Sequence, residues 1–287
     1  MDRAKVTRCG KIEFQWGKRT YIMGIINVSP DSFSGDGVAT IEDAMAQARR
    51  FVDEGVDMLD VGGESTRPNS TSISMDEELK RVIPVIERLA HAVTVPISID
   101  TMKYEVARQA LAAGASILND QRGLKKEPRL AQLAAEKGVP LILMSNQRDK
   151  GGYDTKADRD TGFYQDVMAE VIAFLRGNIE TARRAGVPNE NIIIDPGIGF
   201  GKTWQQDIEI IRRLSELKAL GQPILIGTSR KSLIKMVLDL PANQRVEGTA
   251  ATVAIGIANG ADIVRVHDVK QMVRVCKMAD AIVRGVS

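Results

Sequence analysis

Eight short runs rich in Ile and Val recur along this chain, each followed by a longer stretch of helical period. That alternation limits the folds open to it. The runs are Tyr21–Ile26, Met58–Val61, Pro96–Ile99, Ile117–Leu118, Pro140–Met144, Ile192–Ile194, Pro223–Ile226 and Ile263–Val266. Helices are expected over Ile41–Glu54, Asp76–Ala92, Tyr104–Ala113, Arg129–Lys137, Tyr164–Ala185, Asp207–Leu220, Arg245–Asn259 and Lys270–Arg284. Runs apolar throughout are what strands of a parallel sheet covered on both faces require. The passages Glu54-Gly55-Val56-Asp57, Ala113-Gly114-Ala115, Lys137-Gly138-Val139, Ala185-Gly186-Val187 and Asn259-Gly260-Ala261 repeat one phrase. In each, a glycine stops a helix before the next strand begins. About eight such units without a break in composition predict an α/β fold, a (β/α)8 TIM barrel, as one domain over residues 1–287. An open doubly wound sheet would need a glycine-rich dinucleotide loop after an early strand, and none stands there. Lys11–Gln15 and Arg19–Ile22, around Trp16-Gly17-Lys18, are expected to form a short β-hairpin capping the barrel's N-terminal end.

Composition narrows the partners. With 44% hydrophobic and 26% charged residues, the chain can bury a large core. A formal net charge of +2 is too weak to imply nucleic acid or a membrane surface, so any anion site must be local. Cys9 and Cys276 are too few for a disulfide framework or a cysteine metal cluster. Met1–Gly10 is polar and lacks the apolar stretch of a signal peptide, and no segment reaches the length of a spanning helix. A cytoplasmic location is expected.

Active sites of such barrels lie at the C-terminal ends of the strands. Here nearly every run ends in a polar group: Asn27, Asp60, Asp100, Asn119-Asp120, Met144-Ser145-Asn146, Asp195, Gly227-Thr228-Ser229-Arg230-Lys231-Ser232, then Arg265 and His267. One Asp after a strand is commonly a helix N-cap. A whole ring of polar ends implies a ligand rich in donors and acceptors, because buried polar groups must be satisfied. Arg67, Lys231, Arg265 and His267 add a requirement for negative charge on that ligand. The loop Val28–Gly37, with Phe33 among small and acidic residues, reads either as a surface loop or as a lid. The segment Gly197–Thr203 superficially suggests a phosphate-binding P-loop but lacks the required spacing, because Asp195-Pro196 occupies the frame of the outer glycine. His91, alone on a predicted helix, reads as a surface residue.

The ordered set Gly24–Ser34, Gly62–Pro68, Ser98–Thr101, Ile117–Asp120, Asp195–Thr203, Gly227–Ser232 and Val264–Val269 resembles the signatures of the dihydropteroate synthases, a family of pterin-binding enzymes. The resemblance runs from about Gly24 to Asp268. It implies condensation of (7,8-dihydropterin-6-yl)methyl diphosphate with p-aminobenzoate, with Mg2+ assisting and pyrophosphate released. By position it implies a pterin pocket of Asp100, Asn119, Met144, Asp195, Lys231 and Arg265. The diphosphate would meet Asn27, Thr66, Arg67, Arg265 and His267, with Asn27 also the metal ligand. The p-aminobenzoate pocket, where sulfonamides bind in this family, would comprise Phe33, Thr66, Pro68, Phe200, Lys231 and Ser232. Catalytic roles fall to Asn27, Arg67, Lys231, Arg265 and His267, together with Asp31, which either holds a closed loop or meets the cationic centre. A homodimer through the C-terminal helices is also implied. Two positions depart from the pattern: Ser29 stands where the family often has Thr, and Ser145-Asn146 follow Met144 where many members have His. Two other readings keep the pterin pocket: a non-catalytic pterin-binding paralogue, and a methyltetrahydrofolate–corrinoid methyltransferase.

Overall fold

A computed structural model describes residues 5–10, 12–29, 37–38, 40–64, 72–148 and 166–285. Two strands, β1 (Val6–Cys9) and β2 (Ile12–Gln15), form an antiparallel pair. Eight further strands follow: β3 (Tyr21–Asn27), β4 (Met58–Gly62), β5 (Ile97–Asp100), β6 (Ile117–Asp120), β7 (Leu141–Met144), β8 (Ile192–Asp195), β9 (Leu225–Ile226) and β10 (Ile263–Val266). All neighbours in this sheet run parallel, in the order β8-β7-β6-β5-β4-β3-β10-β9. A parallel bridge between Ile194 and Ile224 joins the two edges, so the sheet closes into a barrel.

Helices cover the outside, and Ile41–Glu54 illustrates why they form. Thr40 accepts the Asp43 N–H at 3.1 Å, acidic Glu42 and Asp43 occupy the first turn, and Gly55 ends the helix at φ +94°. Ala44, Met45, Ala48 and Phe51 recur at helical spacing and are buried against the sheet. Met75–Ala92, Tyr104–Ala112, Arg129–Lys137, Val167–Arg184, Trp204–Arg212, Val246–Ala258 and Val269–Arg284 likewise bury side chains against the sheet. No helix among the described residues is long and apolar enough to cross a membrane.

Strand period decides what the barrel contains. Odd and even residues of a strand face opposite ways. Met23, Met58, Ile117, Ile142, Ile193, Leu225 and Ile263 pack in one inner cluster, while their immediate neighbours belong to the outer core beneath the helices. Phe14, Trp16 and Cys9 join the inner cluster, so the N-terminal pair seals the lower end of the barrel. Trp16 also donates from Nε1 to Thr7 Oγ1 at 2.8 Å. Counting up two residues from Met58, Ile117, Ile142, Ile193, Leu225 and Ile263 gives Asp60, Asn119, Met144, Asp195, Gly227 and Arg265, while Met23 leads to Ile25. The apolar floor and the polar mouth are therefore successive layers of one inner face.

Two expectations about elements need correction, and one helix was not expected. The hairpin pairs Val6–Cys9 with Ile12–Gln15 around Gly10, at φ +60°, and does not turn at Trp16-Gly17-Lys18. The tight turn demands the left-handed residue at Gly10, while Tyr21 and Ile22 are claimed by pairing with β10. The helix expected over Asp207–Leu220 ends at Arg212 and gives way to a 3-10 segment, Leu214–Leu220, whose tighter winding sends Leu214, Leu217 and Leu220 inward. Ser232–Leu238, a helix of seven residues, is too short to have declared itself by periodicity.

Candidate active site

The mouth is organised around Arg265. Its Nε donates to Asp60 Oδ2 at 2.6 Å and its Nη2 to Asp100 Oδ2 at 2.9 Å. Asn119 Nδ2 donates to the same Asp60 oxygen at 3.1 Å, and Gln121 Nε2 donates to Asp100. Register brings these groups side by side, since Gly62 pairs with Asp100 and Asp100 with Asn119. Burial, reinforced by the Asp60 charge, holds the Asp100 carboxyl well above the usual carboxylate range, with Arg265 opposing the shift. Asp60 Oδ1, Ser98 Oγ and Gln121 Oε1 are buried and make no hydrogen bond among the described residues. Orphaned polar atoms are uncommon in folded proteins. Concentrated here, they suit a ligand that supplies N–H groups.

Asp195 pairs in register with Met144 on the opposite arc of the ring. Its Oδ1 accepts the Gly197 N–H at 2.7 Å. Burial raises its pKa even though the Gly197 hydrogen bond and the charges of Lys231, Arg265 and Lys202 all favour the carboxylate. The loop after Asp195 needs its glycines. A Cβ on Gly197 would lie 2.1 Å from the Ser145 carbonyl oxygen, and one on Gly201 would lie 2.5 Å from the Arg148 nitrogen. Lys202 Nζ then donates to Ser145 O at 3.0 Å, Gly197 O at 2.9 Å and Phe200 O at 3.2 Å. This lysine is turned into its own loop, which agrees with the rejection of a P-loop. Burial lowers its pKa to about 8.

The fastened loop presents the Phe200 ring between two cations, Lys231 Nζ at 4.1 Å and Arg148 Cζ at 4.4 Å from its centroid. Burial, then the nearby Arg265 charge, depresses Lys231 to about 8, against the pull of Asp195. Ser232 is exposed at the start of Ser232–Leu238. His267 has its backbone N–H 3.2 Å and its Nδ1 3.0 Å from Ser229 Oγ. Asn27 ends β3, and its carbonyl accepts the Val38 N–H at 2.8 Å. Asp31, Phe33, Thr66, Arg67 and Pro68 lie outside the described residues. His91 is exposed, with Nδ1 2.8 Å from the Glu87 carbonyl, as a surface residue should be.

Gln121, Lys202 and Arg148 belong to this constellation without having been assigned to it from the sequence, and Asp60, read there as a polar strand end, was given no role. For Asp60 a signal existed. A carboxylate inside the apolar run Met58–Val61 must be paired to be buried. In place of His after Met144, Asn146 Nδ2 donates to the Gln121 carbonyl at 2.9 Å and Ser145 is fully buried, so this departure is absorbed into loop packing.

A barrel with a carboxylate- and amide-lined mouth beside cationic side chains is suited to a polar, negatively charged small molecule. A model of the pterin binding enzyme family matches residues 23–267. The dihydropteroate synthase of Bacillus subtilis is 44% identical over 98% of this chain and 95% of its own. A Clostridium difficile dihydropteroate synthase solved in the presence of pteroic acid superimposes with a TM-score of 0.86 at 47% identity, covering 94% of this chain and 99% of that one. A Yersinia pestis dihydropteroate synthase in a sulfonamide complex gives 0.89 at 37% identity, covering 98% and 100%. The chain belongs to the pterin-binding enzyme family and, within it, to the dihydropteroate synthases.

Proposed function

We propose that this barrel joins (7,8-dihydropterin-6-yl)methyl diphosphate to p-aminobenzoate, forming 7,8-dihydropteroate and pyrophosphate in folate biosynthesis, with the residues of the mouth in the following roles. The observation that carries this assignment of roles is the Asp60–Arg265–Asp100 group with Asn119, beside which Asp60 Oδ1, Ser98 Oγ and Gln121 Oε1 have no partner among the described residues. A pterin edge offers adjacent N–H groups that a carboxylate accepts in pairs, which suits Asp195. Asn119 donates and accepts, Met144 lies against one ring face, and the planar guanidinium of Arg265 flanks the other. Thr66, Pro68, Phe33, Phe200, Lys231 and Ser232 receive p-aminobenzoate, and sulfonamides compete for the same pocket. Pteroic acid is the oxidised form of the product, and its presence with the Clostridium difficile enzyme supports both pockets.

Loss of pyrophosphate leaves positive charge on the pterin methylene, spread into the electron-rich dihydropterin, and the amine of p-aminobenzoate attacks it. No protein nucleophile is needed. Arg67, Arg265 and His267 neutralise the leaving group, an electrostatic contribution. Among the described residues no group of three or more acidic, His or Cys side chains could hold a metal, and the Asn27 side-chain amide makes no hydrogen bond. A single hard oxygen at the mouth fits an ion completed by phosphate oxygens and water. Asn27 would hold Mg2+, which when bound supplies further charge neutralisation to the diphosphate.

Pyrophosphate release that requires both p-aminobenzoate and Mg2+ is the expected result. Pterin binding without turnover would instead support the paralogue reading, and a corrinoid-dependent methyl transfer the other. Lys231 provides a second test. Its ammonium, depressed to about 8 by burial, is lost as pH rises, so kcat/KM for the pterin substrate should fall through a basic limb near pH 8. Lys231→Arg should move that limb beyond the accessible range. A wild-type profile flat to pH 9.5 would remove Lys231 from the site.

A homodimer is part of the same reading. Ile255, Met278 and Ile282, on Val246–Ala258 and Val269–Arg284, are 50%, 62% and 72% exposed, and these two helices pack against each other. Val246–Ala258 is apolar on nearly every side, which an isolated surface helix would not be. Sedimentation at micromolar concentration should give a dimer, and monomer alone would exclude it. The cytoplasm suits the two unpaired buried thiols, Cys9 and Cys276, which burial pushes up to about 11 and about 12.

A further inference from the structure

Arg230 is one of three non-glycine residues with positive φ among the described residues, at +58°. A side chain in the left-handed region persists only where its surroundings over-determine it. Here they do. The Arg230 N–H donates to Thr249 Oγ1 at 3.2 Å, and its carbonyl accepts Nη1 of the buried Arg245 at 2.8 Å. Its guanidinium forms a two-pronged pair with Asp268, Nε to Oδ2 at 3.1 Å and Nη2 to Oδ1 at 2.6 Å. Both partners are shielded, with side chains 20% and 17% exposed.

The placement of this pair gives it a consequence for chemistry. Arg230 immediately precedes Lys231, and Asp268 immediately follows His267. One residue earlier on each loop, Ser229 Oγ contacts the His267 ring and amide. Two parallel links therefore join the loop after β9 to the end of β10. Ser229 Oγ accepts the His267 amide N–H and lies 3.0 Å from its Nδ1, so one hydroxyl holds both the backbone and the ring of His267. His267, Arg230 and Asp268 also line a common cavity of about 600 Å³.

We propose that Arg230 and Asp268 are positioning residues for the synthase reaction. Their ion pair locks the loop carrying Lys231 to the strand end carrying His267, so that both cationic-rim groups meet one bound substrate at a fixed separation. The inference rests on the functional reading above. It assigns no contact with substrate to either residue.

The test uses Arg230→Gly, Asp268→Asn, Arg230→Lys and the Gly/Asn double variant, assayed with pterin diphosphate, p-aminobenzoate and Mg2+. Glycine tolerates the backbone conformation at residue 230, so Arg230→Gly should remain folded, and Asp268→Asn keeps size and shape if it does not. Both single variants should lose about ten- to a hundredfold in kcat/KM for the pterin substrate, the scale expected when a group is displaced by about 1 Å, while each still unfolds in one cooperative transition above the assay temperature. The double variant should lose no more than the worse single one, because the two act as a unit. Arg230→Lys should recover part of the loss. Additive losses, or folded single variants within twofold of wild type, would overturn the proposal. An inactive wild type would instead count against the functional reading and leave the pair unimplicated in any chemistry.

Discussion

Arg265→Met should be the most damaging single change in the mouth, lowering unfolding free energy by about 3–5 kcal/mol at neutral pH. The methionine fills much the same volume, so the loss is electrostatic. Asp60, fully buried, and Asp100, with a side chain only 9% exposed, would face each other without their shared counter-ion. The pH dependence has a definite sign. Burial and Asp60 already raise Asp100, and Arg265 is the named charge that opposes them. Without it the folded variant binds a proton that the unfolded chain releases above about pH 4. Stability falls with pH wherever the native state binds more protons, so the deficit should shrink as pH is lowered from 8 to 5. Urea unfolding at several pH values checks this. A deficit of the same size at every pH would mean that Arg265 contributes by packing and not by charge. Turnover should fall as well, by about 10²–10³-fold, the usual effect of removing one aimed electrostatic group.

Asp195→Asn should separate function from stability. The amide oxygen can still accept the Gly197 N–H, now made to Oδ1 at 2.7 Å. Its NH2, however, would point a donor at the pterin N–H groups. Losing two charge-assisted bonds at about 1.5–3 kcal/mol each predicts pterin affinity weaker by roughly 10²–10⁴-fold. Folding should not suffer. The raised pKa of Asp195 means that ionising it disfavours the folded state, a penalty absent below the unfolded pKa and complete once pH exceeds the folded one. A neutral amide removes that penalty, so the variant should melt no lower than wild type near neutral pH. Titration calorimetry with a pterin ligand and a thermal melt together decide the matter. Wild-type affinity would take Asp195 out of the pocket.

Much of this architecture was legible in local pattern. The five helix-ending glycines Gly55, Gly114, Gly138, Gly186 and Gly260 all adopt positive φ, between +94° and +116° except Gly138 at +66°. The helices Ile41–Glu54 and Arg129–Lys137 begin and end where periodicity places them. Boundaries failed where tertiary contacts outweighed local preference. The strand of Tyr21 and Ile22 is drawn into the barrel by β10, which leaves Ile12–Gln15 to pair backwards with Val6–Cys9. At Arg213 the chain leaves α-helical winding where that guanidinium meets Asp166, Glu209 and Glu216 together. Within the site, Asp100, Asn119, Asp195, Lys231 and Arg265 were visible as polar strand ends. Asp60 was visible in the same way but was given no role, and Lys202 was not assigned, because the carbonyls of Ser145, Gly197 and Phe200 that it meets are set by loop packing.

Strand alternation, with a period of two residues, determined from sequence alone which side chains share the inner face, because that property belongs to each strand separately. Closure decided which of them touch. Asp60 and Arg265 stand 205 positions apart, and Arg230 and Asp268 stand 38 apart. Contacts of that kind depend on register and on the meeting of Ile194 with Ile224, and no local periodicity encodes either.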